Sequence, residues 1–202
     1  VKDHCHITGE FRGPAHNQCN LKFKNDLFVP VVFHNLSGYD CHMFFSELSG
    51  YKVEGIGLNK EKYISFSIKI TINGDTFSIR FIDSLRFLNC SIENLAKNLA
   101  RNEFTEVNRH FQDPTSFHLM MRKNYFPYDY LTNFDKFNET SIPQKDSFFN
   151  KLTNSNITDE AYNHVVCVWN HFKIENLGAY SDLYLKCDVL LLTDIFENFR
   201  AI

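Results

Sequence analysis

The stretch YISFSIKITINGDTFSIRFIDS, residues 63–84, alternates apolar and polar side chains on both sides of an Asn-Gly pair. In its first half every second residue is Ile or Phe, and Phe77, Ile79 and Phe81 continue this period of two in the second half. Asn73-Gly74 offers the two positive-φ positions of a tight hairpin turn. The stretch therefore predicts two antiparallel strands joined by a short turn.

The segments around this hairpin predict a sheet accompanied by helices. The apolar run 28–34 has the length of a strand covered on both faces. Apolar residues recur at helical spacing behind Ser91 and behind Thr158, which are suitable N-cap residues, and Gly178 is expected to end the second of these helices. A last helix, 180–199, is apolar on nearly all sides at residues 189–192 and should be central. The order of elements predicts an α/β fold with a mixed sheet flanked by helices.

Composition excludes several classes of function. The 202 residues carry a formal net charge of −3, which disfavours a chain that coats duplex DNA through its overall charge. A cleft for one strand end needs only local basic groups and aromatic rings. The six cysteines lack a framework spacing, and no secretory signal or membrane-length apolar run is present. We therefore expect reduced cysteines, an intracellular and nuclear location, and no membrane partner.

Two aspartates lie within or directly after apolar segments of the sequence. Asp188 lies four residues after Tyr184 in the most apolar helix, where a carboxylate is costly unless it is paired or binds a cation. The plain alternative is a surface aspartate beside Lys186. Asp40 follows the apolar strand run, and its plain alternative is a turn or N-cap residue. Spacing alone leaves both alternatives open.

Three motifs in chain order narrow the choice. They are N-x3-Y-D ending at Asp40, Ser84-Leu85 within DSLRFL, and Y-x3-D ending at Asp188. The first and last resemble the second and third motifs of the 3′–5′ exonuclease domain of family B DNA polymerases. The middle one resembles a motif of the protein-primed members. Together with RKNYFPYDYLTNFDKF, residues 122–137, the chain resembles the polymerases of Maverick/Polinton-type virus-like transposons over essentially its whole length.

The resemblance implies a ribonuclease-H-like exonuclease that proofreads during DNA replication. It implies two divalent cations, Mg²⁺ or Mn²⁺, with Asp40 and Asp188 as ligands and Tyr184 orienting the attacking water. The implied partners are single-stranded 3′ ends of primer-template DNA, the rest of a polymerase chain, and a terminal protein primer. The residues implied to contact DNA are Asn35, Tyr39, Ser84 and Leu85.

The sequence departs from the family pattern in two ways. No D-x-E in a strand-like setting precedes the first of these motifs, so we expect the opening exonuclease motif to lie before Val1. We accordingly expect the isolated chain to be inactive, and no polymerase palm is recognisable in it. A K-x2-apolar motif fits both Lys123-x-x-Phe126 and Lys145-x-x-Phe148, and the sequence does not choose between them.

The opening run KDHCHITGEFRGPAHNQCN carries a second set of candidate ligands. It resembles the ββα-metal, or His-Me finger, core of phage recombination endonucleases. That resemblance implies Asp3 and Asn20 as ligands of a catalytic cation and His4 as its general base. His16 and Cys19 would form half of a zinc site, because imidazole and thiolate both suit tetrahedral Zn²⁺. The other half is expected upstream.

Several interpretations of the chain remain open at this stage. The N-terminal segment is a structural zinc knuckle, an active nicking site, or a polar loop without a metal. The predicted domains are 1–27, a truncated zinc-type segment, and 28–202, the exonuclease-like domain. The alternatives to a proofreading exonuclease are a non-catalytic DNA-binding remnant of a mobile element and a metal-dependent nicking endonuclease.

Overall fold

The computed structural model describes residues 1–4, 11–18, 28–38, 40–57, 63–72 and 75–201. The chain divides into two compact units, Val1–Asp83 and Ser84–Ile202. The strands are β1 (Lys2–His4), β2 (Phe11–Pro14), β3 (Phe28–Phe33), β4 (Val53–Gly57), β5 (Tyr63–Ile72) and β6 (Asp75–Asp83). The α-helices are α1 (Asp40–Phe44), α2 (Ile92–Lys97), α3 (Thr105–His110), α4 (Pro114–Met120), α5 (Asp159–His171) and α6 (Leu177–Arg200). In the described part of the chain, no helix combines the length and the apolar character needed to cross a bilayer.

A four-stranded mixed sheet is the frame of the first unit. Its strand order is β3-β6-β5-β4, with β3 parallel to β6 and the other pairs antiparallel. Ile72 of β5 pairs with Asp75 of β6, which confirms the predicted hairpin, whose Asn73-Gly74 turn lies outside the described residues. The mixed sheet and the α/β class follow from the sequence as expected.

Phenylalanine side chains form the core of this unit. Phe66 of β5 and Phe81 of β6 stack with ring centroids 4.6 Å apart, and Phe44 of α1 lies 5.5 Å from Phe81. Offset and tilted ring pairs of this kind stabilise a core beyond the area they bury. The period of two therefore places the large apolar residues on one face, and α1 packs on that face.

Strand β3 is less covered than the sequence predicts. Val29 is 57% exposed and Phe28 is exposed as well, whereas Phe33 stacks on Phe44 at 5.7 Å. Among the described strands β3 pairs with β6 alone, so β3 is an edge strand of the sheet. An apolar run of strand length does not distinguish a central strand from an edge strand.

The second unit consists of helices with recognisable caps. The Ser91 side chain accepts a hydrogen bond from the Asn94 amide, and Thr158 accepts one from the Ala161 amide, which confirms both predicted N-caps. Pro114 occupies the first turn of α4, where its missing N–H leaves no intrahelical bond unmade.

The predicted boundary between the last two helices is wrong. Helix α5 ends before Lys173, which takes a positive φ of 50°, and the Ile174 amide bonds back to the Trp169 carbonyl. Gly178 instead lies in the first turn of α6, where a Cβ would come 3.3 Å from the Phe137 carbonyl oxygen. The glycine permits a close approach and does not end a helix.

Helix α6 supplies the main wall of the core in the second unit. Its buried side chains pack against buried residues of α5, α3 and α4, including Val165, Val107 and Met120. The helix is not buried all round, because Val189 is 54% exposed. One long face is therefore in the core and another is accessible, which allows α6 to present functional side chains.

Candidate active site

Two residues of the predicted site lie one turn apart on α6. Tyr184 is buried, and the Asp188 side chain is only 18% exposed. Their i, i+4 spacing places both on the same face. The alternative of a surface aspartate beside Lys186 does not apply, because Lys186 extends over the Phe111 ring, with its Nζ 5.1 Å from the centroid.

A lysine from outside the helix completes this cluster. The Lys123 Nζ donates to Asp188 Oδ2 at 2.5 Å and to the Tyr184 hydroxyl at 3.0 Å. Lys145, the other lysine that fits the sequence motif, pairs with Asp159 on the surface at 2.7 Å. Of the two candidate lysines, Lys123 is therefore the one that lies beside Asp188. A charge-assisted hydrogen bond at this distance fixes the orientation of the Asp188 carboxylate.

Two aromatic residues that follow Lys123 also reach Tyr184. The Phe126 ring lies 5.1 Å from that of Tyr184, and the Tyr128 hydroxyl donates to the Tyr184 hydroxyl at 2.9 Å. Tyr128 is nevertheless 63% exposed, so part of its ring faces solvent beside the cluster. The sequence alone does not identify Tyr128 as a site residue, because only the fold brings residue 128 to residue 184.

The Tyr184 hydroxyl is held as a neutral hydrogen-bonding group. Burial raises the pKa of Tyr184 far above its ordinary value, and the nearby negative charge of Asp188 raises it further. Its oxygen accepts hydrogen bonds from Lys123 and Tyr128. A phenol can accept and donate at once, and a side-chain hydrogen bond with Asp188 leaves the Tyr184 proton directed at that carboxylate.

The second oxygen of Asp188 has an unusual environment. Asp188 Oδ1 is buried and has no hydrogen-bond partner among the described residues. An unsatisfied buried acceptor costs about 1–3 kcal/mol unless water or an ion meets it. A carboxylate oxygen suits a hard divalent cation. Because no three metal-binding side chains cluster among the residues that the structure describes, Asp188 fits one ligand of such a site and not a complete site.

In the first unit, Asp83 organises the loop that precedes Asp40. Its carboxylate accepts from the Asn35 amide at 2.9 Å, from the Ser37 amide at 3.1 Å and from the Ser37 hydroxyl at 2.9 Å. Asp83 ends β6 opposite Phe33 of the parallel strand β3, so both carboxyl ends meet here. Asp83 was not among the predicted site residues, although its position at a strand end beside Ser84 is a signal in the sequence.

Asp40 begins α1 beside this loop and is partly buried. Burial raises its pKa, a hydrogen bond from its own backbone amide lowers it, and the negative charge of Asp83 raises it again. Two carboxylates that repel each other in this way form an environment that a bound cation would relieve. The turn-opening position and the predicted ligand role are therefore compatible.

The predicted DNA-contacting residues differ in accessibility. Asn35 is exposed and takes a positive φ of 73°, whereas Ser84 is fully buried and Leu85 is partly exposed. A Cβ at Gly38 would overlap the Asn35 side-chain amide, so the glycine leaves room for that amide. Tyr39 lies outside the described residues. The DNA contacts remain predictions.

The N-terminal segment is described only in part. β1 and β2 form a two-stranded antiparallel sheet in which Asp3 pairs with Gly13, and His16 is exposed. His4 is the last residue of β1 and pairs with Phe11 of β2. Cys19 and Asn20 lie outside the described residues. The described residues contain no group of three candidate metal ligands, so the zinc site and the nicking site remain predictions.

Ser116, His171 and Asp113 have the composition of a hydrolase triad but another geometry. Ser116 Oγ lies 2.7 Å from His171 Nε2, and Asp113 Oδ2 lies 3.5 Å from the same Nε2. In a triad the acid and the nucleophile contact opposite nitrogens of the imidazole. Asp113 is the N-cap of α4, so this cluster joins α4 to the end of α5.

Comparison with known proteins gives one match. The model of the family described as "DNA polymerase type B, organellar and viral" matches residues 19–202. No curated protein and no solved structure matches the chain. The matched range includes the Asn35–Asp40 loop and the cluster of Lys123, Tyr184 and Asp188.

Proposed function

The chain belongs to the organellar and viral type B DNA polymerase family, and we propose that it supplies the 3′–5′ exonuclease of such a polymerase. Membership of this family places the chain in DNA replication, with DNA and the other parts of a polymerase as its partners. The proposal goes further, because it assigns the removal of mispaired nucleotides from single-stranded 3′ ends to these residues. The observation that carries it is Asp188, with one oxygen held by Lys123 and the other buried without a partner.

Asp40 and Asp188 would hold the cations of this reaction. Bound Mg²⁺ or Mn²⁺ would supply an activated water and would neutralise charge at the scissile phosphate. The partner-free oxygen of Asp188 and the mutual repulsion of Asp40 and Asp83 support this assignment. The remaining ligands would come from the D-x-E motif that the family carries.

The other residues of the cluster have roles that follow from their contacts. Lys123 orients Asp188 so that Oδ1 is presented to the site. Tyr184 is neutral and hydrogen-bonded to Asp188, and its hydroxyl would orient the attacking water beside that carboxylate. The exposed Tyr128 ring can stack on the terminal base, a contact worth about 1–3 kcal/mol. Asn35, Tyr39 and Leu85 would contact the same strand end.

Three finer assignments belong to the same proposal. A ribonuclease-H-like fold is supported by the parallel β3–β6 pair, with candidate residues at the carboxyl ends of both strands. A protein-primed, Maverick/Polinton-type polymerase with a terminal protein primer is supported by Ser84-Leu85 and the wider sequence likeness. A zinc-binding N-terminal segment is supported by the spacing of His16 and Cys19.

Excision of a mismatched 3′ nucleotide by the full-length protein tests this proposal. We expect Asp188→Asn to lower the Mg²⁺-dependent excision rate by on the order of 100-fold or more, while primer extension continues. Asp182→Asn is the matched control, because Asp182 is an exposed aspartate of the same helix. Equal excision by Asp188→Asn and the wild type would overturn the proposal.

A further inference from the structure

We propose that Asn124 is a positioning residue, which holds the backbone of Lys123 so that the lysine ammonium reaches Asp188. This inference deepens the proposed exonuclease function and rests on it for its consequence in catalysis. Its structural content is independent of that function, because it concerns how one buried amide fixes the segment beside it.

The Asn124 side chain is enclosed and its polar atoms have partners on two helices. It is 2% exposed. Its Oδ1 lies 2.8 Å from His164 Nε2 of α5, and its Nδ2 donates to Cys187 Sγ of α6 at 3.2 Å. A weaker contact joins Nδ2 to Met120 Sδ at 3.6 Å. A buried amide with this set of partners allows one orientation of the segment.

The backbone on both sides of Lys123 is tied to the same helix. Cys187 Sγ lies 3.6 Å from the Arg122 carbonyl oxygen, and the Tyr180 hydroxyl donates to the Tyr125 carbonyl at 2.6 Å. Cys187 directly precedes Asp188 in α6. Helix α6 therefore carries both Tyr180 and Cys187, which hold the segment, and Asp188, which accepts from the lysine ammonium.

His164 contributes the donor that sets the Asn124 orientation. Burial lowers the pKa of His164 to about 4, so the imidazole is neutral at neutral pH. An amide oxygen can only accept, so Nε2 carries the proton and donates to Asn124 Oδ1. This leaves the Asn124 NH₂ group to face the sulfur atoms. The orientation of the amide is thereby determined by a residue of α5.

A lysine side chain needs such support because it is long and flexible. Ordering its four-carbon stem has an entropic cost, and an exposed ion pair with free side chains is weak. Holding the backbone removes part of this cost before the pair forms. Truncation of Asn124 should therefore loosen Lys123 without removing any atom of the cluster formed by Lys123, Tyr184 and Asp188.

The ammonium signal of Lys123 in a nitrogen-15 NMR spectrum measures this directly. In the wild type we expect a protected NH₃⁺ cross-peak, because Nζ donates to Asp188 and Tyr184. Lys123→Arg assigns the peak, and Asp188→Asn should abolish it. Asn124→Ala is expected to remove or broaden it as well. An Asn124→Ala protein that folds and keeps the wild-type Lys123 peak would overturn the proposal.

A matched asparagine separates positioning from general stability. Asn198 of α6 donates to the Glu103 and Asp194 carbonyls at 2.9 and 2.8 Å, far along the helix from Asp188. Asn198→Ala should lower the thermal unfolding midpoint and leave the Lys123 peak unchanged. If Asn124→Ala does not fold, His164→Leu removes the donor to Asn124 and should lose the peak, whereas His164→Gln can keep that donor and the peak. Identical spectra for these two His164 variants would also contradict the proposal.

Excision by the full-length protein tests whether Asn124 affects catalysis through Lys123. Asn124→Ala should lower the maximal excision rate by on the order of 10- to 100-fold with little change in the DNA concentration at half-saturation. In a Lys123→Ala background the same substitution should add no further loss, whereas an additive loss would contradict action through Lys123. If the wild type and Asp188→Asn excise equally, the proposed function fails, and the NMR result still decides the role of Asn124.

Discussion

At the scale of single residues, Asp188 combines two environments in one carboxylate. Lys123 holds one oxygen by a short charge-assisted hydrogen bond, and the other oxygen is buried without a partner in the described part of the chain. The hydrogen bond from Lys123 to Oδ2 orients the side chain. Oδ1, which has no such partner, can accept a cation or water. The same lysine contacts Tyr184, so orientation of the carboxylate and of the phenol depends on one ammonium group.

We therefore expect excision to require Lys123 and not Lys145. We expect Lys123→Ala to lower excision by the full-length protein by on the order of 100-fold, because it removes the ammonium group that orients Asp188 and Tyr184. Lys145→Ala, which removes a surface ion pair with Asp159, should leave excision within about twofold of the wild type. Rates of mismatch excision under single-turnover conditions compare the two, and equal losses would contradict the assignment.

Gly38 gives a second test at the same scale. A methyl group at this position would overlap the Asn35 amide, which lies at the end of a short side chain and can turn away. Gly38→Ala should therefore cost little stability but should move the Asn35 amide from the strand end it is proposed to contact.

Fluorescence anisotropy with a short single-stranded DNA would measure this effect. We expect several-fold weaker binding by Gly38→Ala, similar to the loss caused by Asn35→Ala. Gly50→Ala is the control, because a Cβ at Gly50 meets no atom within 4 Å. Unchanged binding by Gly38→Ala, together with weaker binding by Asn35→Ala, would show that Asn35 keeps its position despite the methyl group.

At the scale of elements, α6 carries two buried or partly buried aspartates with different roles. Asp194 is fully buried and accepts from the Glu106 amide at 2.7 Å and the Val107 amide at 3.0 Å, at the start of α3. It therefore satisfies free N–H groups of another helix. Asp188, nearly two turns earlier, has its partner-free oxygen. In the sequence both aspartates lie among apolar residues of the same helix. The sequence therefore does not show which of them caps another helix and which has a free oxygen.

Loss of the Asp194 contact should affect stability and not the site. Asp194→Asn keeps the shape of the side chain but replaces one carboxylate oxygen by an NH₂ group. This group faces a backbone N–H of α3 that has lost its acceptor, which should cost about 1–3 kcal/mol in the free energy of unfolding. Asp182→Asn, on an exposed position of the same helix, should cost little. Urea unfolding monitored at Trp169 would compare the variants, and a wild-type midpoint for Asp194→Asn would contradict this role.

The packing of α5 on the segment around Asn124 predicts a dependence of stability on pH. Burial, together with the positive charges of Arg122 and His118, lowers the pKa of His164 to about 4. Between pH 6.5 and pH 4 the unfolded chain binds a proton at this residue that the folded chain does not. Stability is therefore lost as the pH falls through this range, by at most about 3 kcal/mol from this residue.

His164→Gln should reduce this dependence, because glutamine keeps the donor to Asn124 without titrating. The midpoint of urea unfolding at pH 7 and at pH 5 measures it for both proteins. We expect a smaller difference between the two pH values in His164→Gln than in the wild type. Equal differences would show that the proton is taken up elsewhere.

At the scale of the whole molecule, the sequence was most informative where a pattern is local. The alternation on both sides of Asn73-Gly74 predicted the β5–β6 hairpin, and the side-chain oxygens of Ser91 and Thr158 predicted two helix starts. Boundaries set by packing were not predicted. Gly178 marks a close approach to Phe137, and the exposure of β3 depends on which strands lie beside it.

The candidate site shows the same division between local and distant information. The i, i+4 spacing of Tyr184 and Asp188 predicted that they share one helix face, because one helical turn joins them. The choice of Lys123 over Lys145, and the presence of Tyr128 beside Tyr184, depend on contacts over more than 50 residues of sequence. Asp83 reaches the Asn35 loop across a similar separation. Such contacts arise only when the chain is folded, so no spacing rule could have given them.

The claim on which the function rests is that Asp188 is a ligand of the catalytic cation. The half-saturating Mg²⁺ concentration for mismatch excision by the full-length protein tests it most directly, with Asp188→Glu compared to Asp182→Glu. We predict a rise of on the order of tenfold or more for Asp188→Glu, because a displaced carboxylate holds the cation less well, and no change for Asp182→Glu. A wild-type Mg²⁺ dependence in Asp188→Glu would contradict the assignment of Asp188.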